Sequence, residues 1–411
     1  MHDLSQRLSQ LKDAAPGLQS LPKDAIIRAL AATAALLSDP NSSWGRKARA
    51  TLPSSTGLSA EMVDYGLEHA VRGSNVGSLE NLQRKMLPSS EQIRAVTGQL
   101  CLVIGAGNVF TAAWRAAVEP LLHGYATLLK VSSQDSIFPK LIHEVFMHVA
   151  PEIGRAFSIV EFKGGTLHIE QLLFDAADVV VAYGSDDTIA SIQQRLPLNT
   201  RFIPHGHGVG AAYISSDYLA TTRDLEAACG ALALDIAAYD QRGCMSPAGV
   251  WVDSNGRFGA HDVATMLVTH SMPMLSQALP RGSLDIHAAT QELQWRGVAA
   301  VQGELTVGFD FSLCHLDETV PWWPTPGYRN VGIWDCKSLD HLSASLVPFG
   351  VHLKTLGIAG HADTRRQIAS RLSFPLAPRI CPIGNMQKPP IDSISDGHSL
   401  SHGYSRWLEI T

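Results

Sequence analysis

The chain has 411 residues, enough for two or three packed domains. Apolar residues make up 45% and charged residues 17%, which supports a large core and excludes wide disorder. The net charge is −6 and no Lys/Arg-rich run stands out, which argues against a nucleic-acid surface. No apolar segment is long enough to span a bilayer. The polar opening Met1-His-Asp-Leu-Ser-Gln-Arg lacks a signal peptide's apolar core, so a cytoplasmic protein is expected. Six scattered cysteines (Cys101, Cys229, Cys244, Cys314, Cys336, Cys381) form no CxxC pair, and a disulfide framework is not expected.

In chain order, residues 1–98 read as helical. Pro22 to Leu37 repeats apolar residues at helical spacing and stops at Asp39-Pro40. Ser59 reads as an N-cap for the next helix, and Ser78 as the start of a third. From Leu100 the period changes. Short apolar strands at 100–104, 126–130, 157–161 and 178–182 alternate with helices at 109–123, 138–149 and from 187. That alternation predicts a parallel sheet covered on both faces. A second alternating unit runs from about 201. It has strand 210–214, helix 222–239, strand 249–252, helix 261–276, then 299–308, strand 330–334, helix 339–346 and strand 355–359. The last forty residues are rich in Pro, Gly and Ser and read as an arm.

Several stretches carry chemistry. Asp240-Gln-Arg-Gly-Cys244-Met-Ser-Pro247 places a thiol on a helix-to-strand turn, where it reads as a nucleophile able to hold an acyl group. A small buried thiol is the ordinary alternative. Gly105-Ala-Gly107-Asn108-Val-Phe110 follows a strand and precedes a helix, but Phe110 replaces the third glycine of a dinucleotide fingerprint. Asn108 reads equally as a helix cap or as an oxyanion donor. Lys130-Val-Ser132-Ser133 ends a strand and suits ribose or phosphate, or is a solvated lysine before a loop. Tyr183-Gly184-Ser185 opens a helix and reads as a phosphate seat or an ordinary capped turn. His205-Gly206-His207-Gly lies in a turn with no HExxH or Cys/His set nearby, so no metal is expected, and His205 is left as a turn residue or a base. Trp322-Trp323 reads as a tunnel wall or as a Pro-rich surface loop.

Taken together these stretches resemble the aldehyde dehydrogenase superfamily. The block from Gly105 through Trp114 to Gly124-Tyr-Ala-Thr-Leu-Leu-Lys130-Val-Ser-Ser133 resembles its P-W-N-F-P…G-N-x-x-V-x-K-P-S-E block, Ala182-Tyr-Gly184-Ser185 its F-T-G-S loop, residues 205–214 its E-L-G-G-K turn, and Arg242-Gly-Cys244 its G-Q-x-C nucleophile. Ser55-Thr-Gly-Leu-Ser-Ala-Glu-Met62, Asp240-Gln…Cys244-Met-Ser-Pro247 and the tail from Arg379 to Pro390 with Asp396-Gly397 are similar to the LuxC-like acyl-CoA reductases.

The resemblance implies an α/β, aldehyde dehydrogenase-like fold: a helical segment 1–98 packed on the cofactor domain, a Rossmann-like NAD(P) domain 99–204 completed by about 346–375, an α/β catalytic domain 205–345 and an arm 376–411. It implies Cys244 as nucleophile, Asn108 as oxyanion donor, and a cofactor held by Gly105, Gly107, Lys130, Ser132, Ser133, Gly184, Ser185 and Gly206. His205 stands where aldehyde-oxidising members have a water-activating glutamate, which points to an acylating reductase. Ser133 stands where they have a cofactor glutamate. A carboxylate there repels a 2′-phosphate, so NADPH is expected over NADH. The implied substrate is a CoA thioester or an acyl carrier protein, and the implied assembly a homo-oligomer. The alternatives are an aldehyde dehydrogenase with His205 as hydrolytic base, and a non-reducing acyl-accepting subunit.

Overall fold

The computed structural model describes residues 2–87, 92–132 and 135–410. The chain folds as two units. The first comprises residues up to Thr56, Val63 to His207, and from Pro390 on; the second comprises Gly57–Met62 and Gly208–Pro389.

The first unit opens with helices His2–Ser20, Lys23–Ser38 and Ser43–Thr56. Lys23–Ser38 buries Ile26, Ile27, Leu30, Ala34 and Leu37, the apolar stripe visible in the sequence, and it ends at Asp39-Pro40. Helix Val76–Met86 starts earlier than expected because Asn75 caps it, accepting from Ser78 N at 3.1 Å. Strand β1 (Ile93–Val96) follows, inside the stretch expected to be helical. The sheet of this unit uses β2 (Leu100–Ile104), β3 (Ala126–Val131), β4 (Phe157–Glu161), β5 (Val179–Tyr183) and β6 (Arg201–His205). Their order is β4-β3-β2-β5-β6 and all pairs are parallel. Unbroken apolar runs such as Leu100–Val103 and Val179–Ala182 are buried along their length, as parallel strands covered by helices require. The chain steps outward from β2 to β4 and then returns to place β5 on the other side of β2. That reversal makes a switch point at the carboxyl ends of β2 and β5, where open α/β sheets bind ligands.

The second unit holds β7 (Val209–Ile214), β8 (Pro247–Asp253), β9 (Glu304–Val307), β10 (Ser312–Leu316), β11 (Asn330–Cys336), β12 (Leu353–Ala359) and β13 (Arg379–Pro382). Their order is β13-β12-β7-β8-β11-β10-β9, parallel except for the antiparallel edge strand β9. Pleating sends Val250 and Val252 to one core, with Leu225, Ile236 and Ile333, and Trp251 to the other, with Tyr213, Trp334 and Phe349. Trp322 and Trp323 lie in the Pro-rich loop and pack it against this second core, Trp323 edge-on to Trp334 at 5.7 Å.

Three boundaries differ from the sequence reading. Residues 346–375 do not complete the cofactor unit: β12 pairs with β7 and β13 in the second sheet. His205 to His207 belong to the first unit, because β6 is its edge strand. The arm is divided, since β13 joins the second sheet while the chain from Pro390 belongs to the first unit, where β14 (Arg406–Glu409) pairs antiparallel with β1. The stretch 299–308 divides between the end of helix Ile286–Gln302, whose buried Ala288, Glu292, Trp295 and Ala299 keep helical spacing that a buried glutamate disguised, and β9. Among the described residues no helix is long and apolar enough to cross a membrane.

Candidate functional site

At the switch point of the first unit a small cleft is lined by Gly105, Ala106, Ala113, Ser132, Asp135 and Tyr183. Gly105 N donates to Lys130 O at 2.9 Å, which fixes the turn after β2 against the end of β3. A Cβ on Gly105 would meet Leu129 and Lys130 O at 3.4 Å, ordinary contact, so packing does not demand the glycine. Gly107 and Asn108 continue the turn, with Asn108 exposed. Asn108 is not the cap of the following helix: Thr111 precedes Ala112–His123, after a turn in which Ala112 N donates to Val109 O.

Lys130 is not a solvated lysine. It is half-buried near the end of β3, its Nζ lies 5.5 Å from the centre of the Phe162 ring, and burial lowers its ammonium's pKa. Ser132 lines the cleft beside it, and Ser133 lies outside the described residues. Gly184-Ser185 forms the capped turn: Ser185 Oγ accepts from Thr188 N at 3.3 Å, and Asp186 and Asp187 occupy the first turn of helix Asp186–Gln193. Those carboxylates suit the helix start and oppose a phosphate there. A Cβ on Gly206 would fall 2.8 Å from Asp186 Oδ1, and His207 N donates to the same oxygen at 3.1 Å. Asp186 thereby ties the turns after β5 and β6. His205 closes β6 with Nδ1 2.5 Å from Asp396 Oδ2 and its ring stacked on Tyr183 at 4.4 Å. Lys130 and the turn at Gly105 thus place a cation and bare backbone beside this small cleft.

In the second unit the feature is Cys244. Helix Thr222–Ala237, started by a Thr221–Asp224 capping box, stops abruptly. Tyr239, Asp240 and Gln241 then take φ of 53°, 52° and 58°, three successive non-glycine residues in the left-handed region. Such residues cost on the order of 1–3 kcal/mol each and persist only where surroundings enforce them. Here the surroundings are explicit. Asp240 Oδ1 accepts from Arg329 Nη2 at 3.0 Å and Oδ2 accepts from Gly282 N at 3.0 Å. Arg329, fully buried, also donates to Asp310 at 2.7 Å and to Leu279 O at 2.7 Å. Gln241 Nε2 donates to Pro247 O at 2.8 Å and Asn330 O at 3.0 Å, while its Oε1 accepts from Asn330 N at 2.8 Å. Burial raises Asp240's pKa, and Arg329 opposes that rise.

This turn delivers an exposed Cys244, whereas the other five cysteines are buried. Burial pushes the Cys229 thiol up to about 12 and those of Cys314, Cys336 and Cys381 to about 11, so they are poor nucleophiles. A Cβ on Gly208 would fall 2.8 Å from Cys244 Cβ and 2.6 Å from Lys354 Cγ. Only a glycine there lets the Lys354 stem and Cys244 share that space. Gln387, in the Asn-Met-Gln-Lys run of the tail, donates to Ser246 Oγ, and Ser246 N donates to Gly243 O at 3.0 Å. Gly208, Arg329, Lys354 and Asp135 went unread in the sequence. A lone arginine just before the apolar run Val331–Trp334 was the one local signal for Arg329, and the others had none.

The family model described as acyl-CoA reductase (LuxC) matches residues 18–399. A long-chain acyl-protein thioester reductase 2 from Photobacterium leiognathi is 26% identical over 149 residues, 36% of this chain and 30% of that protein. The matched stretch thus spans under a third of that relative's length. Among solved structures, a putative aldehyde dehydrogenase from Burkholderia cenocepacia superposes with TM-score 0.77 at 16% identity, covering 99% of this chain and 90% of its own. Aldehyde dehydrogenase 21 from Physcomitrella patens, in complex with the reaction product succinate, gives TM-score 0.76 at 12% identity, covering 99% and 89%. At those identities the likeness establishes the aldehyde dehydrogenase-like fold.

Proposed function

The chain belongs to the acyl-CoA reductase (LuxC) family, and from that membership we propose that it reduces an acyl thioester to an aldehyde through an acyl group held on Cys244. The observation that carries the reading is the thiol itself: the one exposed cysteine of six, on a strained turn enforced by buried hydrogen bonds. Strain persisting at one place is a mark of function.

In this reading Cys244 Sγ attacks the thioester carbonyl. The bond from that carbon to the CoA or carrier thiol breaks, the free thiol leaves, and the acyl group rests on Sγ. Developing charge on the carbonyl oxygen is met by the Asn108 amide and the Cys244 backbone N–H. A nicotinamide cofactor held beside Lys130, Gly105 and Gly107 would supply a hydride for the acyl carbon, leaving a thiohemiacetal on Cys244. Collapse of the thiohemiacetal breaks the carbon–sulfur bond, releases the aldehyde and restores the thiol. Lys130, Gly105, Gly107, Ser132 and Ser133 are the residues proposed to hold the cofactor, with Gly184, Ser185 and Gly206 shaping the adjoining turns. NADPH is favoured by Ser133; Asp135 is a buried carboxylate in the same cleft that opposes a 2′-phosphate, and the ratio of kcat/KM for NADPH and NADH reads which dominates. A cytoplasmic homo-oligomer taking acyl-CoA or acyl carrier protein completes the proposal.

One observation favours a second reading. Asp396 orients His205 as a carboxylate orients a general base, so hydrolysis of the acyl-enzyme is the competing outcome. Purified protein with NADPH and a series of acyl-CoA and acyl-carrier thioesters decides between them. NADPH loss matched by aldehyde, and abolished in Cys244→Ala with NADPH binding intact, is expected. Turnover surviving in Cys244→Ala overturns the nucleophile. Silence with both donors, together with reduced cofactor formed from aldehydes in the absence of CoA, overturns the reductase in favour of hydrolysis.

A further inference from the structure

We infer that His261, Glu304 and His315 form a binding site for a divalent transition metal of the zinc class at the edge of the seven-stranded sheet. The fold assembles it from three separate places. Glu304 and His315 are directly paired in the antiparallel ladder of β9 and β10, which sets both side chains on one face. His261 comes from the first turn of helix Ala260–Met266. Glu304 Oε2 lies 3.4 Å from His261 Nδ1 and 3.6 Å from His315 Nδ1. One candidate ligand atom from each residue lies within 4.8 Å of the others. Zinc bonds of about 2.0–2.1 Å at tetrahedral angles put ligand atoms about 3.3–3.4 Å apart. The His261–Glu304 spacing of 3.4 Å matches that figure, and the His315–Glu304 spacing of 3.6 Å is slightly longer. His261, two-thirds exposed, has room to swing inward for the third.

The arrangement around His315 is what calls for a cation. Its Nε2 is 3.1 Å from Asp335 Oδ2, and a carboxylate only accepts, so Nε2 carries a proton. In neutral imidazole the other nitrogen is then a bare lone pair, and here it faces a carboxylate oxygen of Glu304. That nitrogen and the Glu304 oxygen, 3.6 Å apart, are two lone-pair atoms that one metal ion can share. A histidine ligand whose far nitrogen donates to a carboxylate is the usual support for a bound metal, since it fixes the tautomer and raises the basicity of the ligating nitrogen. Asp335 is itself held, accepting from Ser254 Oγ at 2.5 Å. Two imidazoles and one carboxylate suit zinc and its neighbours rather than calcium or magnesium, which take oxygen ligands.

The site is separate from the thiol. Asp335 pairs with Val252 near the far end of β8, whereas Cys244 precedes its start at Pro247. Seven residues at about 3.3 Å each put the two roughly 20 Å apart. A metal here would pin edge strand β9 and helix Ala260–Met266 together rather than take part in acyl transfer.

The test uses the full chain carrying Cys244→Ser, so that the exposed thiol cannot bind metal. The protein is stripped with a chelator and equilibrated at pH 7.5 with Zn²⁺ against a weak competing chelator, which discounts scattered surface histidines. One retained equivalent is expected, together with a Tm raised by the metal. Both should disappear in His315→Ala and in Glu304→Gln. Asp335→Asn should weaken binding about 10–100-fold without removing the ligands. Glu304 is 74% exposed, so its variant keeps the test valid if His315→Ala misfolds. No retained equivalent overturns the site, as does an equivalent that persists in both variants.

Discussion

The two sheets present their chemistry in opposite ways. In the first unit the candidate cofactor cleft sits at the carboxyl ends of parallel strands, where topology alone opens a crevice. It needs only small residues and a lysine near a strand end, and its turn at Gly105 carries no clash that packing must resolve. In the second unit the thiol precedes a strand, on three left-handed residues that no turn chemistry favours. That turn exists only because Arg329, Asp240, Gln241 and Asn330 are bonded to one another inside the core. A binding crevice comes with a fold of this class, whereas a presented nucleophile has to be enforced by buried polar groups.

The sharpest way to break the contrast is Arg329→Met. It strands the buried carboxylates of Asp240 and Asp310, and removing one member of such a set costs about 3–5 kcal/mol. Urea unfolding should show that loss, and alkylation of Cys244 in the folded fraction should change rate as the turn relaxes. Unaltered stability and thiol reactivity would mean the turn is held by Gln241 and Asn330 alone. On the first unit's side, Asn108→Ala should lower kcat by about 10²–10³ while the protein stays folded, because Asn108 is exposed and Thr111 holds the N-cap position of the next helix. An unchanged kcat would remove Asn108 from the oxyanion role.

The smallest effect separates the units by pH. His123 is buried in the first unit, stacked on Tyr404 at 4.4 Å, and burial lowers its pKa from 6.5 to about 4. The unfolded chain then binds more protons between those values, so this contribution to stability is present above about 6.5 and lost as pH falls towards 4. Asp235 is buried in the second unit, and burial raises its pKa from 3.8 to about 7. There the folded chain binds more protons, so this contribution is present below about 3.8 and lost as pH rises through 7. The limits are roughly 3 kcal/mol for His123 and roughly 4 kcal/mol for Asp235. Stability measured from pH 4 to 7 should therefore slope less upward with pH in His123→Gln, and lose its downward component in Asp235→Asn. Identical slopes in both variants would show that neither group titrates as its burial implies.

Much of this was legible in the sequence. The strands Leu100–Ile104 and Phe157–Glu161 have the bounds read from the sequence, and most of the other core strands lie within a residue or two; for strands such as Leu100–Ile104 this is because burial on both faces is written as a continuous apolar word. Lys130 and Cys244 stood out as candidates because each is beside such a run. β10 and the pairing of Glu304 with His315 did not, since the two strands are short, of mixed polarity, and their pairing joins residues without a shared local pattern. Asp135, Gly208 and Lys354 were missed because their meaning is a distance to another element.

By itself the sequence determined the α/β class, the doubly covered parallel strands, the thiol and the family, because these rest on local periodicity and on motifs that are contiguous in the chain. Only the tertiary structure decided which sheet Leu353–Ala359 joins, how the last residues divide between the units, why Tyr239 to Gln241 tolerate left-handed backbone, and that His261, Glu304 and His315 meet. Each of these is fixed by pairing or packing between residues tens of positions or more apart, and such encounters are set by the free energy of the whole fold rather than by any segment of it.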